Sequence, residues 1–266
     1  MPTVRDQAIC LRVWDWSETS QTVSVFSREL GVLRAVAKGS RRGDARFSGG
    51  LEVATRGEIV AIVKPSERSP DTLATLTVWD LQEIFPALRT SLSAFHGAMY
   101  MVDLVRHFAK DADPHPLLFD ALLGCLRALG NAEQVVMGLL RFQWEMLTHT
   151  GHRPELFRDV SGAGELPPGQ TFRFSPSLGG LVGSPAGTDA RRPDPGDVWR
   201  VRPETIETLR RVADAGRNHG GVGPAAFAPE AVGRANRLLA WYVRTVLGTW
   251  PESAHTVFPG IRTVKP

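Results

Sequence analysis

Residues 22–47 read TVSVFSRELGVLRAVAKGSRRGDARF, and this stretch decides the fold. Apolar and polar side chains alternate over 22–26 and again over 32–37, which is the period of a β-strand. The intervening Glu29-Leu30-Gly31 is typical of a turn. The stretch therefore predicts two neighbouring strands, followed by a short Gly-punctuated segment that is rich in cations.

Further strands are predicted on both sides of this pair. In the first strand, Ile9, Leu11 and Val13 point one way, while Arg12 and Trp14 point the other. Strand patterns return over 51–63 and 73–79. Five short strands in about 80 residues predict a small closed or nearly closed barrel, because closure removes exposed sheet edges. The five-stranded Greek-key barrel is the OB-fold, so we expect an OB-fold nucleic-acid-binding domain over residues 1–80.

From Pro86 onward the apolar residues recur every three or four positions, which is the period of a helix. The pattern predicts helices up to about residue 149 and again between residue 203 and about residue 247. Residues 151–202 are dense in Gly, Pro and Ser and indicate a loop-rich insert that could hold one hairpin. The expected fold class is α+β, with the barrel followed by a mainly helical domain over 81–266.

The composition is that of an ordinary globular protein. The chain has 266 residues, of which 42% are hydrophobic and 22% are charged, and a formal net charge of +3. No signal peptide and no apolar run long enough to cross a bilayer are predicted. The two cysteines are too few for a disulfide framework, so we expect buried thiols in a reducing cytoplasm.

The segment after the second quoted strand carries four cations, Lys38, Arg41, Arg42 and Arg46, against the single acid Asp44. Arg34 lies four residues before Lys38, and therefore on the same face of an extended strand. Lys and Arg neutralise phosphates, which suits a polyanion, and the ring of Phe47 could stack a base. Phe47 could equally anchor the segment in the barrel. The alternative for the whole segment is an ordinary solvated loop.

Two weaker candidate surfaces follow. Arg56 and Lys64, on the neighbouring strand, could extend the cationic track. In the last long helix, the heptad-like spacing predicts an outward face that could bind DNA or the acidic tail of a partner, formed by Arg234, Arg237, Trp241 and Arg244. A solvated amphipathic face is the alternative for this helix.

Catalytic and metal sites are not indicated. The residues near Lys38 lack the glycine spacing of a phosphate-binding loop. His149 and His152 are too few for a structural zinc, and Asp111, Asp113 and His115 fit ordinary helix punctuation. We therefore expect no catalytic residue, no metal ion, no cofactor and no enzymatic activity.

Three segments together closely resemble the N-terminal signature of the RecO family of bacterial DNA repair proteins: Trp16-Ser17-Glu18-Thr19-Ser20, Val25-Phe26-Ser27-Arg28-Glu29-Leu30-Gly31 and Ala37-Lys38-Gly39-Ser40-Arg41-Arg42. The resemblance implies an N-terminal OB-fold joined to a helical domain. It also implies binding to single- and double-stranded DNA and annealing of complementary strands without ATP. The implied partners are RecR, the C-terminal tail of the single-strand-binding protein and, indirectly, RecA.

The chain departs from the family pattern in the insert. Many members carry a Cys-x-x-Cys pair on each side of a small hairpin, whereas the positions in approximate register here are Asp159, Gly162, Gly183 and Ala186. Without thiolates a zinc site is not expected there. The sequence over 174–181 predicts that the hairpin persists and is held by packing alone.

The residues and the resemblance together predict a DNA-binding recombination mediator that works without covalent chemistry. A different class of function is also open at this point. An adaptor could receive RecR and the tail of the single-strand-binding protein, with DNA affinity secondary.

Overall fold

A computed structural model describes residues 3–42, 46–63, 73–162, 166, 171–183, 197–217 and 227–261. The chain divides into two compact units, Met1–Arg127 and Ala128–Pro266. Strands give way to helices after residue 83. The domain boundary expected at residue 80 stays a prediction. The compact units, in contrast, divide after Arg127, because three helices belong with the sheet in the first unit.

The first unit contains one sheet of six strands: β1 (Thr3–Asp15), β2 (Gln21–Ser27), β3 (Gly31–Ala37), β4 (Phe47–Ser48), β5 (Arg56–Ile62) and β6 (Ala74–Glu83). Their order is β3-β2-β1-β5-β6-β4. The neighbours pair antiparallel, except that β4 runs parallel to β6. β3 also pairs in parallel with β6 through Ala35, Val36 and Ala37. The five expected strands are present, and the two-residue β4 was not predicted.

The core of the sheet follows from the alternation seen in the sequence, except in β1. An irregularity between Cys10 and Arg12 puts Cys10 and Val13 on the core side, so the prediction that Ile9 and Val13 share a face is wrong. Side chains on one face of the sheet are buried together in a core cluster. Among them are Cys10, Val23, Val25, Ala35 and Ile59. Trp79 on β6 lies fully buried in the same cluster. Burial raises the pKa of the Cys10 thiol to about 12, so this cysteine is a neutral core residue at physiological pH.

Three helices complete the first unit: α1 (Ala87–Thr90), α2 (Leu92–Phe108) and α3 (Pro116–Ala128). The hydroxyl of Ser91 caps α2 by accepting from the Ala94 amide at 3.3 Å. Two ion pairs join helices and connecting residues to the sheet, Arg28–Asp120 and Arg34–Asp111, both at 2.8 Å. The fold class is therefore α+β, with the sheet placed first.

The second unit contains α4 (Ala132–His149), α5 (Pro203–Arg217), α6 (Pro229–Leu247) and the short α7 (Ala254–Val257). A small sheet in the order β8-β7-β9 lies in the predicted insert, formed by β7 (Phe172–Ser175), β8 (Gly180–Leu181) and β9 (Trp199–Val201). Gln143 donates to Asn236 at 2.8 Å and ties α4 to α6. No helix in the described part of the chain has the length and hydrophobicity of a membrane span.

Candidate nucleic-acid interface

The cationic segment, defined here as residues 38–42, continues directly from β3. It bends at once because Gly39 has a φ of +75°, which is the left-handed region that glycine adopts readily. The side chains of Lys38, Arg41 and Arg42 are exposed. Among the described residues, neither Lys38 nor Arg42 forms an ion pair. Lys38 and Arg42 are therefore two exposed cations, without an ion pair in the described structure, within three residues of this bend.

Hydrogen bonds hold the cationic segment against the turn between β1 and β2, residues 16–20. The Gly39 amide donates to Ser20 Oγ at 3.2 Å, and the Arg41 amide donates to the Thr19 carbonyl at 3.2 Å. The Ser40 hydroxyl donates to Gln21 Oε1 at 3.1 Å. The segment described up to residue 42 is therefore attached to the sheet along its length.

Two of the predicted cations are paired with acids. The guanidinium of Arg41 forms an ion pair with Asp15, and both side chains are well exposed. Arg34 pairs with Asp111 at 2.8 Å and remains about two-fifths exposed. An exposed ion pair is worth little in water, so a phosphate can compete with either carboxylate for its guanidinium.

Arg46 and Phe47 mark the point where the chain returns to the sheet, after residues 43–45, which lie outside the described residues. Arg46 is exposed, and its carbonyl accepts from the Trp79 amide at 2.8 Å. Phe47 is 5% exposed, pairs with Trp79 in β6 and lies in the core cluster. Base stacking by Phe47 is thus not supported by this conformation, and of the two predicted roles the anchor is the one that fits.

Arg56 is engaged by residues other than those of the cationic segment. The Arg56 guanidinium donates to Glu83 at 3.0 Å, to Gln7 at 2.5 Å and to Gln82 at 2.9 Å. Its hydrogen-bonding capacity is thus largely used inside the protein, which corrects its prediction as a DNA contact. Lys64 lies outside the described residues.

Two aromatic residues near the cationic segment were not selected from the sequence. Trp14 is 38% exposed and Trp16 is 63% exposed, and Arg12 lies with its guanidinium carbon 4.7 Å from the centre of the Trp14 ring. In β1, Arg12 and Trp14 alternate with Val13, which packs against the core cluster. This alternation predicts a strand but does not reveal that the two aromatic rings stay exposed.

The prediction that Trp241 belongs to an outward face of α6 is wrong. This side chain is 6% exposed, and its ring centre lies 4.9 Å from that of Trp250 and 6.3 Å from that of Trp199. Arg244 is half-buried, and its guanidinium carbon is 5.7 Å from the Trp241 ring. Arg234 is paired with Glu230 at 3.5 Å, whereas Arg237 is exposed. The four residues therefore do not form one open surface.

The hairpin expected in the insert is present as β7 and β8, but packing alone does not hold it. The Arg210 guanidinium donates twice to the Leu156 carbonyl, at 2.7 and 3.0 Å. Its central carbon lies 5.3 Å from the ring centres of both Phe157 and Phe172. Arg173 in turn donates to the Gly183 carbonyl at 3.2 Å.

Within the described residues, no three His, Cys, Asp or Glu side chains are grouped so that they could hold a metal ion. Asp159 accepts from the amide and hydroxyl of Ser161 at 2.8 and 2.6 Å, and Gly162 has a φ of +79°. These are features of a tight turn. Ala186 lies outside the described residues.

Two protein-family models match this chain, one over the strand-rich N-terminal part and one over the mainly helical remainder. Residues 1–85 match the family model described as Recombination protein O N terminal, and residues 89–255 match Recombination protein O C terminal. The chain is similar to the DNA repair protein RecO of Myxococcus xanthus, with 30% identity over 243 residues, 91% of this chain and 92% of the relative.

Two further relatives with the same name show similar agreement. That of Rhodopirellula baltica is 32% identical over 207 residues, which are 77% of this chain and 73% of the relative. That of Geobacter metallireducens is 29% identical over 239 residues, 90% of each chain. Since both family models match and the relatives are covered over most of their length, the chain belongs to the RecO family of DNA repair and recombination proteins.

Proposed function

We propose that this protein is a DNA-binding recombination mediator that anneals complementary single strands without ATP and, with RecR, assists the loading of RecA. Membership of the RecO family supports a role in DNA repair and recombination. The observation that carries the DNA-binding part is the exposed cationic segment, where Lys38 and Arg42 are not engaged by acids of the described chain.

The sheet that carries this segment is proposed to be an OB-fold barrel. The pairing of β3 with β6 supports this, because it completes a ring of contacts in the order β1, β2, β3, β6, β5 and back to β1. A sheet that returns to its first strand leaves few open edges, and OB-folds bind oligonucleotides through a strand face and adjoining loops.

Annealing requires two negatively charged strands to approach each other. Cations that neutralise the phosphates of one strand lower the repulsion felt by the second, and counterion release drives the binding. No bond is made or broken in this process. Arg34, Arg41 and Arg46 would extend the contacts of Lys38 and Arg42 along the backbone.

The proposed partners are single- and double-stranded DNA, RecR and the C-terminal tail of the single-strand-binding protein, with RecA as an indirect partner. The sheet would dock on RecR and the helical unit would receive the acidic tail. Binding to DNA would place the protein at the nucleoid in the cytoplasm. In the rival adaptor function the same helical region receives the tail and DNA affinity is secondary. Burial of Trp241 removes the Arg–Trp face of α6 as the docking surface for that tail.

The test is annealing of complementary oligonucleotides without nucleotide, measured across a salt series. If about four phosphates are engaged, log K for a single strand should fall with log salt at a slope near −3. Replacement of Lys38, Arg41, Arg42 and Arg46 by Glu should abolish annealing and leave the thermal melt nearly unchanged.

The matched control makes the same change of charge in the second unit, at exposed Arg153, Arg158, Arg200 and Arg202. This control variant should lower annealing far less than the first variant. It changes the net charge of the protein equally but leaves the proposed interface intact. Equal annealing by the wild type and the first variant would contradict the assignment of the interface.

A further inference from the structure

The strand register shows which side chains share a face with the cationic segment. Trp14 pairs with Thr22 across β1 and β2, and Thr22 pairs with Val36 across β2 and β3. Directly paired residues lie on the same face of a sheet. Trp14 and Val36 therefore belong to one outward row, and Lys38 follows Val36 by one strand period.

A parallel row lies two residues further along the strands. Arg12 pairs with Ser24, and Ser24 pairs with Arg34. Between the two rows, Val23 and Ala35 are buried in the core cluster, which confirms that the rows point away from it. The outer face of β1–β3 thus carries two arginines and a tryptophan.

Trp16 extends this face into the turn at 16–20. Its amide donates to the Ser20 carbonyl at 3.1 Å, so the backbone that carries the ring is fixed. Large aromatic side chains are usually buried, yet Trp16 is 63% exposed and Trp14 is 38% exposed. Two indoles within three residues are thus available to a binding partner.

The charge around the two indoles is mainly positive. Arg12 lies against the Trp14 ring, and the cationic segment is hydrogen-bonded to the turn that carries Trp16. Among the described residues, Asp15 is paired with Arg41, Asp111 is paired with Arg34, and Glu18 is exposed. A partner with flat apolar rings on a negatively charged chain matches both properties.

We infer that Trp14 and Trp16 form a base-stacking platform that makes the DNA interface selective for single strands. The inference rests on the proposed function, because the cationic segment must hold the backbone beside the platform. Unpaired bases can turn a ring face toward an indole, whereas the bases of a duplex are already stacked on each other. Phosphates on Lys38 and Arg42 would leave adjacent bases within reach of the two rings.

The experiment compares three labelled ligands by fluorescence anisotropy: oligo-dT of about 16 nucleotides, an abasic strand of the same length and a duplex. The abasic strand has the phosphates but lacks the bases. The wild type should bind oligo-dT more tightly than the other two. Trp16→Ala and the double variant with Trp14→Ala should weaken oligo-dT binding by roughly 5- to 150-fold and leave abasic binding and its salt slope unchanged.

Controls separate stacking from lost stability. Trp16→Phe keeps a ring and should retain most of the affinity, and Leu92→Ala removes another well-exposed apolar side chain of the same unit. Thermal melts of all variants establish that they are folded. Trp14 contacts Arg12, so its removal in the double variant could also lower stability. If the double variant unfolds, the single variant Trp16→Ala tests the platform.

The possible results distinguish the two proposals. If the wild type binds none of the ligands, the proposed function fails and the platform with it. If the wild type binds DNA but does not distinguish oligo-dT from the abasic strand, or if Trp16→Ala binds oligo-dT like the wild type, the function stands and the platform is wrong. In that case the exposed indoles serve another surface, such as one for a protein.

Discussion

The Asp113 carbonyl approaches Gly31 so closely that a Cβ atom on Gly31 would lie 2.3 Å from its oxygen. The Ala112 amide donates to the Val32 carbonyl at 3.0 Å, and Arg34 pairs with Asp111. Residues 111–113, which follow α2, thus contact the first half of β3 through a hydrogen bond, an ion pair and close packing. Of the cations predicted to contact DNA, Arg34 is the one that this contact reaches.

Substitution of Gly31 by Ala should destabilise the protein for two reasons. Its φ of +74° is unfavourable for a residue with a side chain, and the new methyl group would collide with backbone. Gly50 is the matched control, since its φ is +75° and a Cβ there has nothing within 4 Å. We expect Gly50→Ala to cost about 1 kcal/mol and Gly31→Ala to cost about 2 kcal/mol more, as measured by urea unfolding. Equal losses of unfolding free energy in the two variants would show that residues 111–113 shift easily to make room for the new methyl group.

Removal of the charge on Asp15 should strengthen DNA binding. Its partner Arg41 would then be available to a phosphate, and one repelling charge would be gone. For Asp15→Asn we expect about a two- to fivefold higher affinity at low salt, a gain that shrinks as salt screens it. Stability should change by less than about 0.5 kcal/mol because the pair is exposed.

The control for this prediction is Glu133→Gln, which changes an exposed acid on α4 by the same charge. An equal gain from Glu133→Gln would mean that net charge, and not the Arg41–Asp15 pair, controls affinity.

The two unpaired cations should differ from Arg56 in the salt dependence of binding. Replacing Lys38 and Arg42 together by Gln should make the slope of log K against log salt shallower by about 1.4 for a single strand, since each phosphate contact contributes about 0.7. Arg56→Gln should leave the slope unchanged, because its guanidinium is bonded to Glu83, Gln7 and Gln82. Oligonucleotide titrations at several salt concentrations measure both. A shallower slope for Arg56→Gln would restore this residue to the interface.

Periodicity predicted the main strands and helices because each is long enough to repeat its burial pattern. β4 has two residues and no period of its own. Its position depends on pairing with Trp79, more than thirty residues later in the chain, and this pairing also decides that Phe47 is an anchor. Local sequence could not distinguish the two roles of that ring.

The misplacement of Trp241 has a related cause. The spacing within α6 shows which residues share a face, but it does not reveal what covers that face. Trp199 of β9 and Trp250, in the chain after α6, do so. The cations of residues 38–42 were easier to place because exposed charge at a turn depends little on distant partners.

The Glu83 carboxylate should make stability depend on pH. Hydrogen bonds from Arg127 lower its pKa, with a further contribution from Arg56. A carboxyl group whose folded pKa is depressed stabilises the protein above its unfolded pKa of about 4.3 and loses this effect as pH falls through the folded value. Glu83→Gln should therefore cost about 1–2 kcal/mol at pH 7, and the difference from wild type should shrink below about pH 4.

Urea unfolding at both pH values measures this difference, with Glu133→Gln, at an exposed position of α4, as the reference. A constant difference across pH would assign the loss to altered packing and not to the charge of Glu83.

Arg210 should be a main polar support of the hairpin in the insert. It donates two hydrogen bonds to the Leu156 carbonyl and lies against the rings of Phe157 and Phe172, so it joins α5, the chain before the hairpin and β7. Arg210→Met keeps most of the apolar stem and removes the donors, with an expected cost of about 1.5–3 kcal/mol in urea unfolding. Arg200→Met, at an exposed position of β9, should change stability by less than about 0.5 kcal/mol. If both variants unfold at the urea concentration of the wild type, the hairpin depends on apolar packing, as its sequence had indicated.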